Sequence, residues 1–256
     1  MSTDTLNGIT SNSAPYNTCD IIQALENQAI KHMGEERYEK FKRGVTIPCE
    51  QMENMQRNCV MRDFVRAVEN ECGAELAQKI FAGVCHGLKP SDLPWAREHF
   101  LLYNNIDAFC DQMLKENTAI FKKAYETGEW VHGQEIDKDV LDFILLHPEL
   151  LYGKREGNCI IATAIPFNTK AYLSEQDPMK KRYYACHCHF ARDTLLTKEG
   201  PTSKTLCYCS LGHTRVFWES ALDTPLEGEV EESVLGDGLL CRFRIFLPDE
   251  IMKKYT

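Results

Sequence analysis

No stretch of the chain approaches the roughly 18 consecutive apolar residues that a membrane-crossing helix needs. The most apolar segment, around Phe143 to Leu146, stops at His147-Pro148. Basic charge is also short: 29 Lys and Arg stand against 38 Asp and Glu, a net charge of −9. That balance disfavours nucleic acid and anionic membrane as partners. Met1 to Tyr16 is rich in Ser, Thr and Asn, with neither a basic start nor an apolar core, so no secretory leader is expected there. Internal repeats and heptad seams are lacking as well. A homodimer is compatible with the apolar helical stripes, but no coiled-coil seam points to one.

What is present suits a folded globular chain. Hydrophobic residues make up 43% and charged residues 26% of 256 residues, close to ordinary usage. The length allows one large domain or two lobes. Twelve cysteines exceed ordinary usage yet stay below the roughly 8–10% of small secreted disulfide scaffolds. A reducing cytoplasm is therefore expected, where clustered cysteines read as metal ligands, reactive thiols or small core residues.

Apolar spacing predicts helices over Asp20 to Met33, Glu35 to Arg43 and Glu50 to Cys72, the last with Cys59 and Cys72 in its buried stripe. Another follows Gly73 and breaks at Gly87 and Pro90; a longer one, Ile106 to Tyr125, ends at Gly128. Composition then changes. After a short helix over Val140 to Leu146, the run Cys159 to Ile165 predicts a buried strand, and Tyr183 to Cys188 a second. Ala191 to Leu196 reads as a short helix, Thr202 to Cys209 as partly extended, and Leu211 to Leu222 as a helix. Glu227 to Leu235 and Leu239 to Leu247 alternate around Gly236-Asp237-Gly238 as a hairpin. The expected class is α+β: a polar tail over 1–17, a helical region over 18–130, and a cysteine-rich α+β region over 131–256 with an antiparallel sheet and packed helices, continuous with the helical region or separate from it.

Chemistry concentrates in Cys186-His187-Cys188-His189 and Cys207-Tyr208-Cys209. On extended strands, alternation puts Cys186 and Cys188 on one face and Cys207 and Cys209 on one face of theirs. Four thiolates at about 2.3 Å would suit zinc, and His213, one turn beyond Cys209, can replace a sulfur. An iron–sulfur site accepts the same donors. Two competing readings remain open: buried small residues, or a thiolate at a helix N-terminus beside a histidine. Arg192 and Arg215 follow the cysteine pairs and can bind a ligand carboxylate, with Trp218 as an apolar wall of the ligand site.

The segment Gly236-Asp237-Gly238-Leu239-Leu240-Cys241-Arg242-Phe243-Arg244-Ile245, together with Gly212, Glu219 and the strand Glu229 to Val234, resembles the C-terminal signature of 4-vinyl reductase-like domains. It is also similar to the ending of L-2-amino-thiazoline-4-carboxylate hydrolase-like proteins, and the cysteine pairs look like those of a bacterial family sharing this half. The likeness covers Cys186 to Leu247. It implies a 4-vinyl reductase-like C-terminal half that binds a small, often apolar molecule beside metal-holding cysteines. The hydrolase likeness implies water opening a cyclic C=N bond. The leading expectation is a small-molecule-binding or sensory protein with a zinc site; the alternative is a hydrolase of a small cyclic sulfur or nitrogen compound, using zinc-bound water or a Cys/His pair.

Overall fold

The computed structural model describes residues 18–256; the polar tail expected over 1–17 lies outside the described residues. The first half is helical. Helix α1 (Thr18–Met33) buries Ile21, Leu25, Ala29 and Met33 at four-residue spacing, and Gly34, with φ 85°, turns the chain into α2 (Glu35–Lys42). Helix α3 (Asn54–Cys72) buries Met61, Phe64, Val65 and Val68, leaving Cys59 and Cys72 only half-buried, less than their place in the stripe predicts. Gly73 (φ 81°) joins it to α4 (Ala74–Ala82). Helix α5 (Pro94–Tyr103) lies where no element was expected between Pro90 and Ile106. At the first helical position proline loses no hydrogen bond, so there it starts a helix. Helix α6 (Ile106–Thr127) is capped by the Asn105 side chain, which accepts from Ala108 N at 3.0 Å, and it ends at Gly128 as predicted.

Strands β1 (Trp130–Val131) and β2 (Gln134–Glu135) form a minimal hairpin before α7 (Lys138–Leu146). The main sheet joins β3 (Lys154–Glu156), β4 (Cys159–Thr163), β5 (Glu227–Glu232) and β6 (Arg242–Phe246), antiparallel throughout, in the order β3-β4-β6-β5. Every residue of β4 is buried, as its continuous apolar run requires. Helices α8 (Thr169–Ser174), α9 (Pro178–Ala185), α10 (Cys207–Leu222) and α11 (Asp249–Tyr255) complete the α+β fold.

Helix α10 is the axis of the molecule. It buries residues all round, among them Leu211, Val216, Phe217, Trp218 and Leu222, because it has the sheet on one side and α4 and α5 on the other. One core gathers α1, α3 and α4 with α9 and the Cys186–Leu195 stretch; a second joins α5 and α6 to α10, β4 and β6. Both cores cross the 130/131 boundary.

Two expected strands are helices instead. Tyr183 to Ala185 ends α9, whose start is fixed by Asp177 accepting from Lys180 N at 2.9 Å and by Pro178 in the first turn. Cys207 to Cys209 opens α10 rather than closing a strand, since Ser203 caps a single 3-10 turn (Lys204–Leu206) that runs straight into it. The hairpin is present, but the left-handed residue is Asp237 (φ 72°), not a flanking glycine. Gly238 is needed for room: a Cβ there would meet the Glu232 side chain at 2.3 Å. Arg242 and Arg244 pair with Glu231 and Glu229 across the ladder, and Phe243 and Ile245 face the core, whereas Leu239 is exposed.

Candidate functional site

The helical start of α10 divides the expected ligand set. Successive residues on a helix turn by about 100°, so Cys207 and Cys209 point some 200° apart and cannot share a face as strand residues would. Cys207 faces a cavity of about 40 Å³ that is also lined by Cys186, Cys188 and Cys241. Cys209 and His213, one turn apart, do not line that cavity; they face the Cys85–Gly87 turn, where the His213 ring stacks on His86 with centroids 4.6 Å apart, while Cys209 stays within electrostatic reach of Cys188. The cavity set thus gains Cys241, at the entry to β6, and gives up Cys209 and His213.

Each wall is held by named contacts. Cys186 is the first residue beyond α9 and takes extended backbone geometry. Arg182 of α9, 5% exposed, donates from Nε to Val234 O at 2.6 Å and from Nη1 to Asp237 at 2.8 Å, clamping α9 to the turn that leads into Cys241. Ala191 N and Arg192 N donate to Cys188 O at 3.1 and 2.9 Å. Across the cavity, α10 approaches α4 closely because residue 212 is glycine; a Cβ there would lie 2.1 Å from Ala82 O.

The sulfurs also have donors aimed at them. The backbone N–H of Cys188 lies near the Cys186 sulfur, those of Phe190 and Ala191 near the Cys188 sulfur, and that of Val234 near the Cys241 sulfur, each lowering the cost of a thiolate there. These N–H groups favour thiolate, but burial in the protein outweighs them. Burial pushes Cys186 well above the ordinary thiol range, with Cys188 and Cys241 adding to it, and pushes Cys188 up to about 11. Cys241 is raised first by its hydrogen bond with Cys207 and then by burial. On the other face of α10, burial raises Cys209 and lowers His213 to about 4 and His86 well below its usual value. At neutral pH Cys186, Cys188, Cys209 and Cys241 are therefore held as thiols, and His86 and His213 as neutral imidazoles.

That state is a poor nucleophile, and each thiol must give up its proton to become a ligand. Thiolate, not thiol, attacks, whereas a soft cation displaces the thiol proton on binding. The donor chemistry and the volume suit an ion: about one to three waters would fill the cavity, while organic ligands occupy roughly 300 Å³ or more. Among the described residues, however, no three Cys, His, Asp or Glu side chains are grouped closely enough to share an ion as the chain stands.

The remaining candidates are placed as follows. Arg215 pairs with Glu219 at 3.1 Å and donates towards Ala82 O, so its guanidinium is engaged by the protein itself. Trp218 is fully buried among Phe109 and Phe217, its Nε1 donating to Tyr152 O at 2.9 Å, and it does not line the cavity. Arg192 lies next to the thiols, its guanidinium 4.0 Å from the ring centre of Phe167. The Cys85-His86-Gly87 turn carries φ of 51°, 54° and 83°; two consecutive non-glycine residues in this region are costly, and such strain clusters at functional sites. Comparison with family models, with curated proteins and with solved structures finds no match.

Proposed function

We propose that the protein is a small-molecule-binding or sensory protein whose Cys186, Cys188, Cys207 and Cys241 close around a thiophilic cation, zinc before an iron–sulfur cluster. The observation that supports this reading is the convergence of four thiols, from three separate chain segments, on one ion-sized cavity, with backbone N–H groups already aimed at three of the sulfurs. Those N–H groups would form the outer shell that holds and tunes thiolate ligands. Four sulfurs leave no open position, so the ion would be structural, locking the Cys186–Cys188 segment onto α10 and β6. An organic ligand would then lie outside the cavity, at the Arg192 edge. Twelve free cysteines accord with a reducing, cytoplasmic home.

Elemental analysis of protein purified anaerobically without chelators tests the reading. It predicts about one zinc per chain. Because metal binding is coupled to folding, Cys186→Ser should lose metal and thermal stability together, and metal-free wild type with unchanged stability would contradict it.

One observation favours the hydrolase alternative: the strained Cys85-His86 turn sets a neutral imidazole pair beside Cys209. On that reading Cys209→Ser or His213→Ala abolishes turnover of a cyclic thioimidate while leaving metal content unchanged.

A further inference from the structure

We infer that Arg57 and Arg192 form an oxyanion site at the N-terminal end of α3, one that takes the carboxylate or phosphate of a small molecule. Arg57 is 9% exposed, yet no carboxylate among the described residues pairs with it or with Arg192, although acids dominate the sequence. The Nε of each is buried without a hydrogen-bond partner. A buried guanidinium left this way is costly unless an anion compensates it.

Asn58 ties together the two chain segments that carry these arginines. Its Nδ2 donates to His189 O at 2.8 Å and its Oδ1 accepts from Asp193 N at 3.2 Å, so Arg57 and Arg192 each stand one residue from the same clamp. Both lie close enough to His189 to oppose its protonation. The guanidinium of Arg57 rests on the first helical turn, where Nη2 donates to Asn54 Oδ1. That turn holds no acidic residue, and its N-cap, Glu53, makes no side-chain capping bond, so the positive end of the helix dipole adds to the arginine charge. One turn beyond Asn58, Arg62 has a further buried and unpartnered Nη1. On the Arg192 side the guanidinium lies over the rings of Phe167 and Tyr183, and Phe167 is 43% exposed. Planar guanidinium forks match carboxylate and phosphate oxygens.

The site needs no metal, so it is tested apart from the thiol cavity. The experiment is calorimetric titration of the full chain with inorganic phosphate and, separately, with acetate, at constant ionic strength set with chloride. Saturable binding of at least one is expected, weakened at least about tenfold in Arg57→Gln and in Arg192→Gln, the worth of one charge-assisted hydrogen bond. It should be unchanged in Arg66→Gln, an exposed control on the same helix, and in Cys207→Ser. Tighter phosphate assigns a phosphoryl ligand and tighter acetate a carboxylate. If Arg57→Gln fails to fold, the half-buried Arg192→Gln decides. No saturable binding of either probe, or equal affinity in Arg192→Gln, overturns the assignment.

Discussion

A methyl group on residue 212 would meet the Ala82 carbonyl at 2.1 Å and the Cys85 sulfur at 3.0 Å, so the spacing of α10 from α4 depends on one missing side chain. Gly212→Ala is expected to destabilise by about 1–3 kcal/mol, the usual cost of overpacking, read from urea midpoints. Two turns later, Glu219 balances Arg215 with both side chains largely buried and also accepts Leu226 N at 3.0 Å. Removing it in Glu219→Ala strands a buried cation and should cost about 3 kcal/mol in the same measurement. A third pair behaves differently because it is exposed. Arg155 grips Asp107 through Nε and Nη2 at 2.7 and 2.5 Å, which holds the Asp107 carboxyl below its usual range. A depressed carboxylate contributes stability above its unfolded value of about 3.9, and that contribution is lost as pH falls through the lower folded value. Asp107→Asn should therefore cost about 0.5 kcal/mol at pH 7, and the difference from wild type should shrink towards zero as the pH falls through the lowered folded value.

Helix starts decide which sulfurs meet. Asp177 caps α9 and Ser203 caps the turn that feeds α10, and these two caps place Cys186 and Cys207 on one cavity. Asp177→Ala is expected to cost about 1 kcal/mol, visible as a lowered thermal midpoint. Both caps are written in the sequence, as Asp-Pro and Ser-Lys, but β-prone neighbours such as Tyr183 and Tyr184 outweighed them in a pattern-based reading. The long helices α1, α3, α4 and α6, the buried strand β4 and the hairpin were legible because apolar spacing repeated over several turns or alternated cleanly. Of the site, Cys186, Cys188 and Cys207 were legible as a cluster. Cys241 was visible only as an inward-facing hairpin residue, since its meeting with Cys207 depends on α10 starting at that residue. Arg57 gave no signal, because an arginine within an amphipathic stripe reads as a surface charge until its burial is known.

At the scale of the molecule, helices from the first half and strands from the second share two cores across the 130/131 boundary. Among the described residues no helix is long and apolar enough to cross a membrane. The thiol cavity lies where α9, α10 and the entry to β6 converge, which makes any ion bound there a global staple, its binding energy adding to folding energy. The decisive measurement is zinc per chain in wild type, Cys241→Ser and Cys209→Ser, purified side by side without oxygen or chelators. The account predicts about one zinc in wild type and in Cys209→Ser, and loss in Cys241→Ser. A metal-free wild type, or zinc lost with Cys209 but kept without Cys241, would contradict it.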